Sequence, residues 1–277
     1  MATIGAFNTL TIIDIIPHGV ILDGEQLGEI LLPNRYVPKN AEINQQIDVF
    51  IYNDSQDRLV ATTEKPKAKV GEFASLKVVQ VNKMGAFLDW GLPKDLLVPF
   101  AQQHKPMELG RWYIVRLYLD QHTQRIVASS KLDRFLDVWP VEYQKGQQVD
   151  LIIANKTELG FKAIINHVHW GLIFESDIFL PIRTGLKTTG YIKEVRPDGK
   201  INLTLSPSGQ EKVTSFSDKF IAHLKANQGF SPLNDKSSPE EIHRVFGVSK
   251  KAYKATVGHL LKQGKVFFDN NGVRLKE

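Results

Sequence analysis

The sequence predicts a mainly β chain of several small domains, three tandem five-stranded barrels followed by one α+β domain. Three observations carry that prediction. A segment repeats at an offset of 66 residues, each repeat holds short strand-like runs, and the periodicity turns helical near Ser217.

Setting "HGVILDGEQLGEILLP" (His18 to Pro33) against "MGAFLDWGLPKDLLVP" (Met84 to Pro99) gives five identities without a gap. They pair Gly19 with Gly85, Leu22 with Leu88, Asp23 with Asp89, Leu31 with Leu97, and Pro33 with Pro99. Further on, "DRLVATTEK" matches "QRIVASSKL", so that Arg58 falls on Arg125 and Val60-Ala61 on Val127-Ala128. A looser third copy runs from about Gly146 to Ser206: "ELGFKAIIN" takes the place of the glycine turn and strand, "WGLIFESDIFLP" the next strand, and "GKINLTLS" the closing one. Units of roughly 65 to 72 residues in three copies read as tandem small domains, because solenoid repeats run shorter.

Within the second copy, "SLKVVQVN", "GAFLDWG", "DLLVPF", "WYIVRLYLD" and "RIVASSK" are rich in β-branched, aliphatic and aromatic residues and are separated by Gly, Pro, Asn or Asp. Five such runs fit a five-stranded barrel. A barrel of this size buries little core, so consecutive copies are expected to pack on one another.

The C-terminal segment follows a different rule. "SDKFIAHLKANQ" spaces Phe220, Ile221 and Leu224 as a helix does, and "SSPEEIHRVFG" has a serine cap, proline at the first helical position, two acids in the first turn and a terminating glycine. "SKKAYKATVGHLLKQG" repeats the form, and "KVFFDNNGVRL" reads as two short strands around Asn-Asn-Gly. Three helices and a hairpin in about 60 residues make a winged helix-turn-helix, with Gly247 at its tight turn. The expected domains are 1–65, 66–137 and 138–209 for the barrels and 210–277 for the winged helix.

Composition narrows the function classes. With 42% hydrophobic and 23% charged residues, the 277-residue chain belongs with globular proteins. It has no cysteine, which removes disulfides and thiolate metal sites. The N-terminal "MATIGAFNTLTIIDII" lacks the basic start of a secretory signal and no run approaches the ~20 apolar residues of a membrane span. A cytoplasmic protein without a membrane partner is expected. Net charge is +5, unevenly spread. Residues 1 to 64 hold three basic against nine acidic side chains, 65 to 137 twelve against seven, 138 to 209 eight against seven, and 210 to 277 twelve against seven. If a polyanion binds, the second copy and the helical domain are its basic surfaces.

Sequence-tolerant gripping of a single strand needs flat rings for the bases and cations for the backbone. The second copy has Phe87, Trp90, Phe100, Trp112, Tyr113 and Tyr118 together with Lys83, Lys94, Arg111, Arg116 and Arg125. Strand alternation puts Tyr113, Val115, Leu117 and Leu119 of "WYIVRLYLD" into the core and leaves Arg116 and Tyr118 outward, on either a ligand-facing or a solvated face. In the third copy Phe161, Trp170, Phe174, Tyr191, Lys193, Arg196 and Lys200 form an analogous set. There, "VRPDGK" reads equally as a hairpin turn. The third helix of the last domain presents Lys250, Lys251 and Lys254 with no Arg, Asn or Gln in its first two turns, which suits phosphate rather than base-edge contact.

Enzyme signatures are missing. There is no G-x-S-x-G elbow, phosphate loop, dinucleotide fingerprint or His-Glu-x-x-His helix. His167 and His169 would share a strand face, but no third ligand accompanies them, so neither a metal nor a cofactor is expected.

The run "VVQVNKMGAFLDWG…KDLLVPFAQQ…GRWYIVRLYLDQHTQRIVASSK" resembles the S-one type RNA-binding domain, an oligonucleotide-binding (OB-fold) barrel. The whole order, three such copies and a C-terminal winged helix, resembles the conserved virulence factor B family of bacteria. That resemblance implies a non-enzymatic RNA-binding protein of post-transcriptional or translational regulation. It also implies base stacking at Met84 and Phe87, with an Asp120 and Arg125 pair meeting the backbone. Where many such domains carry a stacking histidine this chain has Pro33, Pro99 and Phe174, and the first copy has His18 and Ile21 in place of Met84 and Phe87. Unequal binding by the three barrels is therefore expected. Single-stranded RNA is the expected partner, with no small-molecule substrate evident. A DNA-binding regulator acting through the winged helix, or an adaptor docking on ribosome or polymerase, are the alternatives.

Overall fold

The computed structural model describes residues 1–137, 142–178, 181–205, 209–269 and 271–276, without side chains at 209–215. Phe179 and Leu180 of the third repeat and Asn270 of the hairpin signal lie outside the described residues. The chain divides into two compact units, Met1–Leu136 and Asp137–Glu277.

In the first unit, β1 (Phe7–Ile16), β2 (Gly19–Asp23), β3 (Glu29–Pro33), β4 (Gln46–Asn53) and β5 (Leu59–Thr62) close a barrel in the order β1-β2-β3-β5-β4. β6 (Phe73–Asn82), β7 (Gly85–Asp89), β8 (Leu96–Pro99), β9 (Trp112–Leu119) and β10 (Ile126–Ser129) repeat the order, left open between β8 and β10. Each first strand must pair on both sides while curving round the barrel. It bends at a bulge, between Ile12 and Asp14 in β1 and between Val78 and Gln80 in β6. Alternation puts Leu22, Ile30, Leu32 and Ile51 inside the first barrel, and Leu76, Leu88, Val98 and Leu117 inside the second.

Small barrels need added burial, and here the two copies supply it to each other. Phe50, Tyr52 and Val60, from β4 and β5, belong to the same apolar cluster as Trp90, Leu92 and Leu96 of the second copy. Tyr52 is 4% exposed, and burial pushes its phenol up to about 12. The folded-state pKa lies above the ordinary value of 10.0, so the associated stability is complete below pH 10 and is lost as pH rises through about 12. Tyr52→Phe is expected to flatten that alkaline loss in denaturant melts followed across this range. An unchanged alkaline slope would show that Tyr52 does not set it.

The second unit begins with β11 (Gln148–Thr157), β12 (Gly160–Ile165), β13 (His169–Phe174), β14 (Lys187–Val195) and β15 (Ile201–Thr204), a closed barrel of the same order. A bulge between Ile153 and Lys156 bends β11 as in the other copies. After it come α1 (Gly209–Ala226), β16 (Phe230–Ser231), α2 (Pro239–Phe246), α3 (Lys250–Lys262), β17 (Val266–Asp269) and β18 (Gly272–Leu275). The α1 helix starts earlier than the apolar spacing predicts. Strand β16, too short to show a period, pairs with β18 and widens the expected hairpin to three strands.

The helix ends follow their sequence signals. Ser238 and Glu241 form a reciprocal capping box with Pro239 behind the cap, and Gly247 stops α2 in the left-handed region at φ 68°. Ser249 caps α3 by accepting from the Ala252 N–H. Phe220, Leu224, Ile242, Tyr253, Leu260 and Val273 fill the core, and the Tyr253 hydroxyl donates to the Leu233 carbonyl at 2.6 Å. Among the described residues, no helix is long and apolar enough to cross a membrane.

Candidate nucleic-acid interface

The second barrel separates the sequence candidates into two groups. Lys83, Met84 and Phe100 are exposed and Phe87 is half-buried. The Gly85–Pro99 pairing brings the hairpin tip bearing Lys83 and Met84 beside Phe100, and Phe87 follows two residues along the same face of β7. Trp112, 59% exposed, adds a ring on β9. Tyr113 instead packs on the core, its hydroxyl accepting from the Glu108 N–H at 3.0 Å.

The other second-barrel candidates serve the fold, which corrects their expected role. Trp90 is only 3% exposed, with Phe50 and Tyr52 edge-on at 5.9 and 6.4 Å and its Nε1 donating to the Lys94 carbonyl at 2.6 Å. A base cannot reach it. Lys94 turns to the first barrel, donating to the Asp54 carbonyl at 2.6 Å and the Asp57 carboxylate at 3.0 Å. Arg125 joins the same Asp57 at 2.5 Å. The Asp120 N–H donates to the Arg125 carbonyl, while the two side chains take different partners. Asp120 accepts from the Thr123 and His122 N–H groups and the Thr123 hydroxyl, which hold its pKa below the usual carboxylate range. It closes a turn.

Arg116 and Tyr118 point away from the barrel core and are half-buried. Arg116 sits over the Phe73 ring at 4.9 Å, and Phe135 lies 5.9 Å from Arg116 and 5.6 Å from Tyr118. Burial raises the Tyr118 pKa. The segment following β10 folds back against this face and covers part of it.

In the third barrel a groove of about 630 Å³ gathers Trp170, Arg196 and Lys200 with Lys162, Leu159, Leu172, His169 and Asn202. The Lys162 ammonium lies 4.0 Å from the centre of the Trp170 ring. Arg196 and Lys200 each meet the Asp198 carboxylate at 3.2 Å, two cations sharing one anion. Their bonds hold the Asp198 pKa down against a desolvation that raises it. The remaining third-copy candidates are elsewhere. Phe161 packs against the barrel core, and Lys193 binds the buried Asp177 at 2.6 Å, 5.8 Å above the Phe174 ring.

Sequence reasoning missed Lys162. Aligning Gly160 with Gly85 places Lys162, not Phe161, at the position of Phe87. His167 and His169 do not share a strand face: His167 is in the β12–β13 turn at φ 61°, and His169 is buried at the start of β13. No group of three metal-ligating side chains occurs among the described residues. In the winged domain, Lys251 and Lys254 are exposed and Lys250 is half-buried. The wing also exposes Phe267 and Phe268, by 42% and 50%. The adjacent pair of rings before Asn-Asn-Gly was the available signal.

Two family models match, an S1 domain over residues 4–64 and a CvfB-like winged helix domain over residues 218–275. The Bacillus subtilis protein YitL is 31% identical over 265 residues, 90% of this chain and 86% of that protein. Conserved virulence factor B of Staphylococcus haemolyticus is 25% identical over 98% of this chain and 94% of its own length, and that of Staphylococcus aureus is 24% identical over 84% and 80%. A crystal structure of a multidomain protein with nucleic acid binding domains from Streptococcus pneumoniae is 26% identical over 99% of this chain and 98% of that one, with a TM-score of 0.44. Matched at its first barrel and at its winged helix, and related to YitL and to the conserved virulence factor B proteins over most of its length, the chain belongs to the conserved virulence factor B family.

Proposed function

We propose that the chain is a non-enzymatic, cytoplasmic RNA-binding protein that grips single strands by stacking and phosphate contacts, in post-transcriptional or translational regulation. Its working parts are barrels at 1–65, 66–137 and 138–209 and a winged helix at 210–277. The observation that carries this reading is the third-barrel groove, where a tryptophan and three cations line one concavity. Stacking rings beside cations are what sequence-tolerant strand binding needs. The exposed Met84 and Phe100, with Phe87 and Lys83, offer a second surface of the same kind. The first barrel, acidic and with at most the His18 ring at those positions, contributes least.

Fluorescence anisotropy of a labelled single-stranded RNA and a duplex DNA of equal length, at two salt concentrations, tests the proposal. Single-stranded RNA should bind more tightly, and its affinity should fall steeply with salt. Phe87→Ala should weaken RNA binding by roughly 1–3 kcal/mol while leaving the fold intact. Charge reversal at Lys250, Lys251 and Lys254 should weaken it partly. Preference for duplex DNA, abolished by that reversal, would replace this reading with a DNA-binding regulator. Binding to neither would leave a protein-docking adaptor.

A further inference from the structure

We infer that the wing of the C-terminal domain is a self-pairing surface: the outer edge of β17 meets β17 of a second copy, antiparallel, across a two-fold axis at Phe267. β17 ends the sheet order β16-β18-β17, so one side of it has no neighbouring strand among the described residues. Phe267 and Phe268 lie on opposite faces of that strand, and they are 42% and 50% exposed. An apolar edge of this kind is a template for another strand. The charges beside it say which one. In "KVFFD", Lys265 and Asp269 are both exposed and stand at equal distances on either side of Phe267. An antiparallel second copy therefore sets each Lys265 against the other chain's Asp269. The strand is complementary to itself, as an isologous contact requires.

The backbone supports the same register independently. The Lys276 N–H donates to the Lys265 carbonyl at 2.9 Å, so Lys265 turns that carbonyl to β18. Alternation makes Phe267 and Asp269 do likewise and aims the polar groups of Val266 and Phe268 at the open edge. With the axis at Phe267, Val266 of one copy stands opposite Phe268 of the other, and each such pair exchanges two hydrogen bonds. The exposed Phe268 ring then lies against Val266 of the second copy, whose side chain belongs to that copy's domain core. On the other face the two Phe267 rings meet. Beside them is Arg274, which pairs with Phe267 across the hairpin and holds Asp269 at 3.1 Å. Axes at Val266 or Phe268 fit the backbone as well, but they put Lys265 or Asp269 against Phe267 in place of an opposite charge.

Sedimentation equilibrium of the full-length protein over a wide range of concentrations is expected to show monomer and dimer in exchange. Lys265→Asp and Asp269→Lys each set like charges against one another at both ends of the contact, and should raise the dimer dissociation constant roughly tenfold. Mixed in equal amounts, the two variants should recover the tighter constant, because each supplies the charge that the other lacks. Misfolding of either variant could not be repaired by mixing. The chain has no cysteine, so a single introduced thiol reports on this contact alone. Across the axis the Cα atoms at position 267 lie about 4.5 Å apart, within disulfide reach, whereas those at 268 lie beyond the limit of about 7 Å. Phe267→Cys should therefore crosslink under mild oxidation and Phe268→Cys should not. A protein monomeric at every concentration, a mixture no tighter than its components, or equal crosslinking at the two positions overturns the pairing. If the charge variants instead alter RNA binding by a protein that is monomeric throughout, the wing is a nucleic-acid contact and the pairing is overturned with the RNA-binding reading intact.

Discussion

Trp90→Ala is expected to cost the Met1–Leu136 unit about 3–5 kcal/mol, read as a lowered midpoint in a urea melt. The residue is 3% exposed and belongs to the one apolar cluster that takes side chains from both barrels of that unit. Truncation removes two edge-on ring contacts, with Phe50 and Tyr52, and opens a cavity that the flanking strands can collapse only in part. It also frees the Lys94 carbonyl from the indole N–H. Lys94 in turn ties the barrels through Asp54 and Asp57, so the loss extends past the cavity itself. RNA affinity of the remaining folded protein should not change. A stable variant with lost RNA affinity would instead return Trp90 to the binding surface.

That correction shows what was legible and why the rest was not. Repeats, strand runs, helix caps and the Gly247 stop are local, and each appears in the structure as its residues require. The second-barrel site was harder to read because its rings and cations answer to a neighbour far away in sequence. Trp90, Lys94 and Arg125 all turn toward the first copy, where Asp57 alone receives two of them. The acidic excess of residues 1 to 64 held the clue: a carboxylate-rich barrel beside a basic one pairs with it before it repels RNA. Arg116 and Tyr118 show a different limit. Alternation says which residues leave the core but not what packs beside them, and Phe135 packs beside these two. In the third barrel, residue type alone singles out Trp170, Arg196 and Lys200, which line one groove, whereas only the glycine register singles out Lys162 beside them.

Gly85→Ala is expected to destabilise the second barrel by on the order of 3 kcal/mol, although it adds one methyl group. Gly85 has φ 150°, and a Cβ there would lie 2.3 Å from the Val98 carbonyl oxygen and 3.0 Å from the Pro99 Cα. Those are backbone atoms of the paired strand, so relief requires parting β7 from β8 at the Gly85–Pro99 pair. The equivalent glycines have the same problem. Gly19, at φ 155°, would put a Cβ 2.1 Å from the Leu32 oxygen, and Gly160, at φ 146°, 2.0 Å from the Ile173 oxygen. This close approach explains why glycine, which opens "GVILD", "GAFLD" and "GFKAII", is the one residue all three share. Gly110→Ala is the control, at φ 79° with nothing within 4 Å of the added methyl, and should cost only about 1 kcal/mol of backbone strain. Equal urea midpoints for the two variants would refute the steric account. Parting the strands would also move the tip that carries Lys83 and Met84 away from Phe100, so Gly85→Ala should weaken RNA binding even at temperatures where the barrel remains folded, and Gly110→Ala should not.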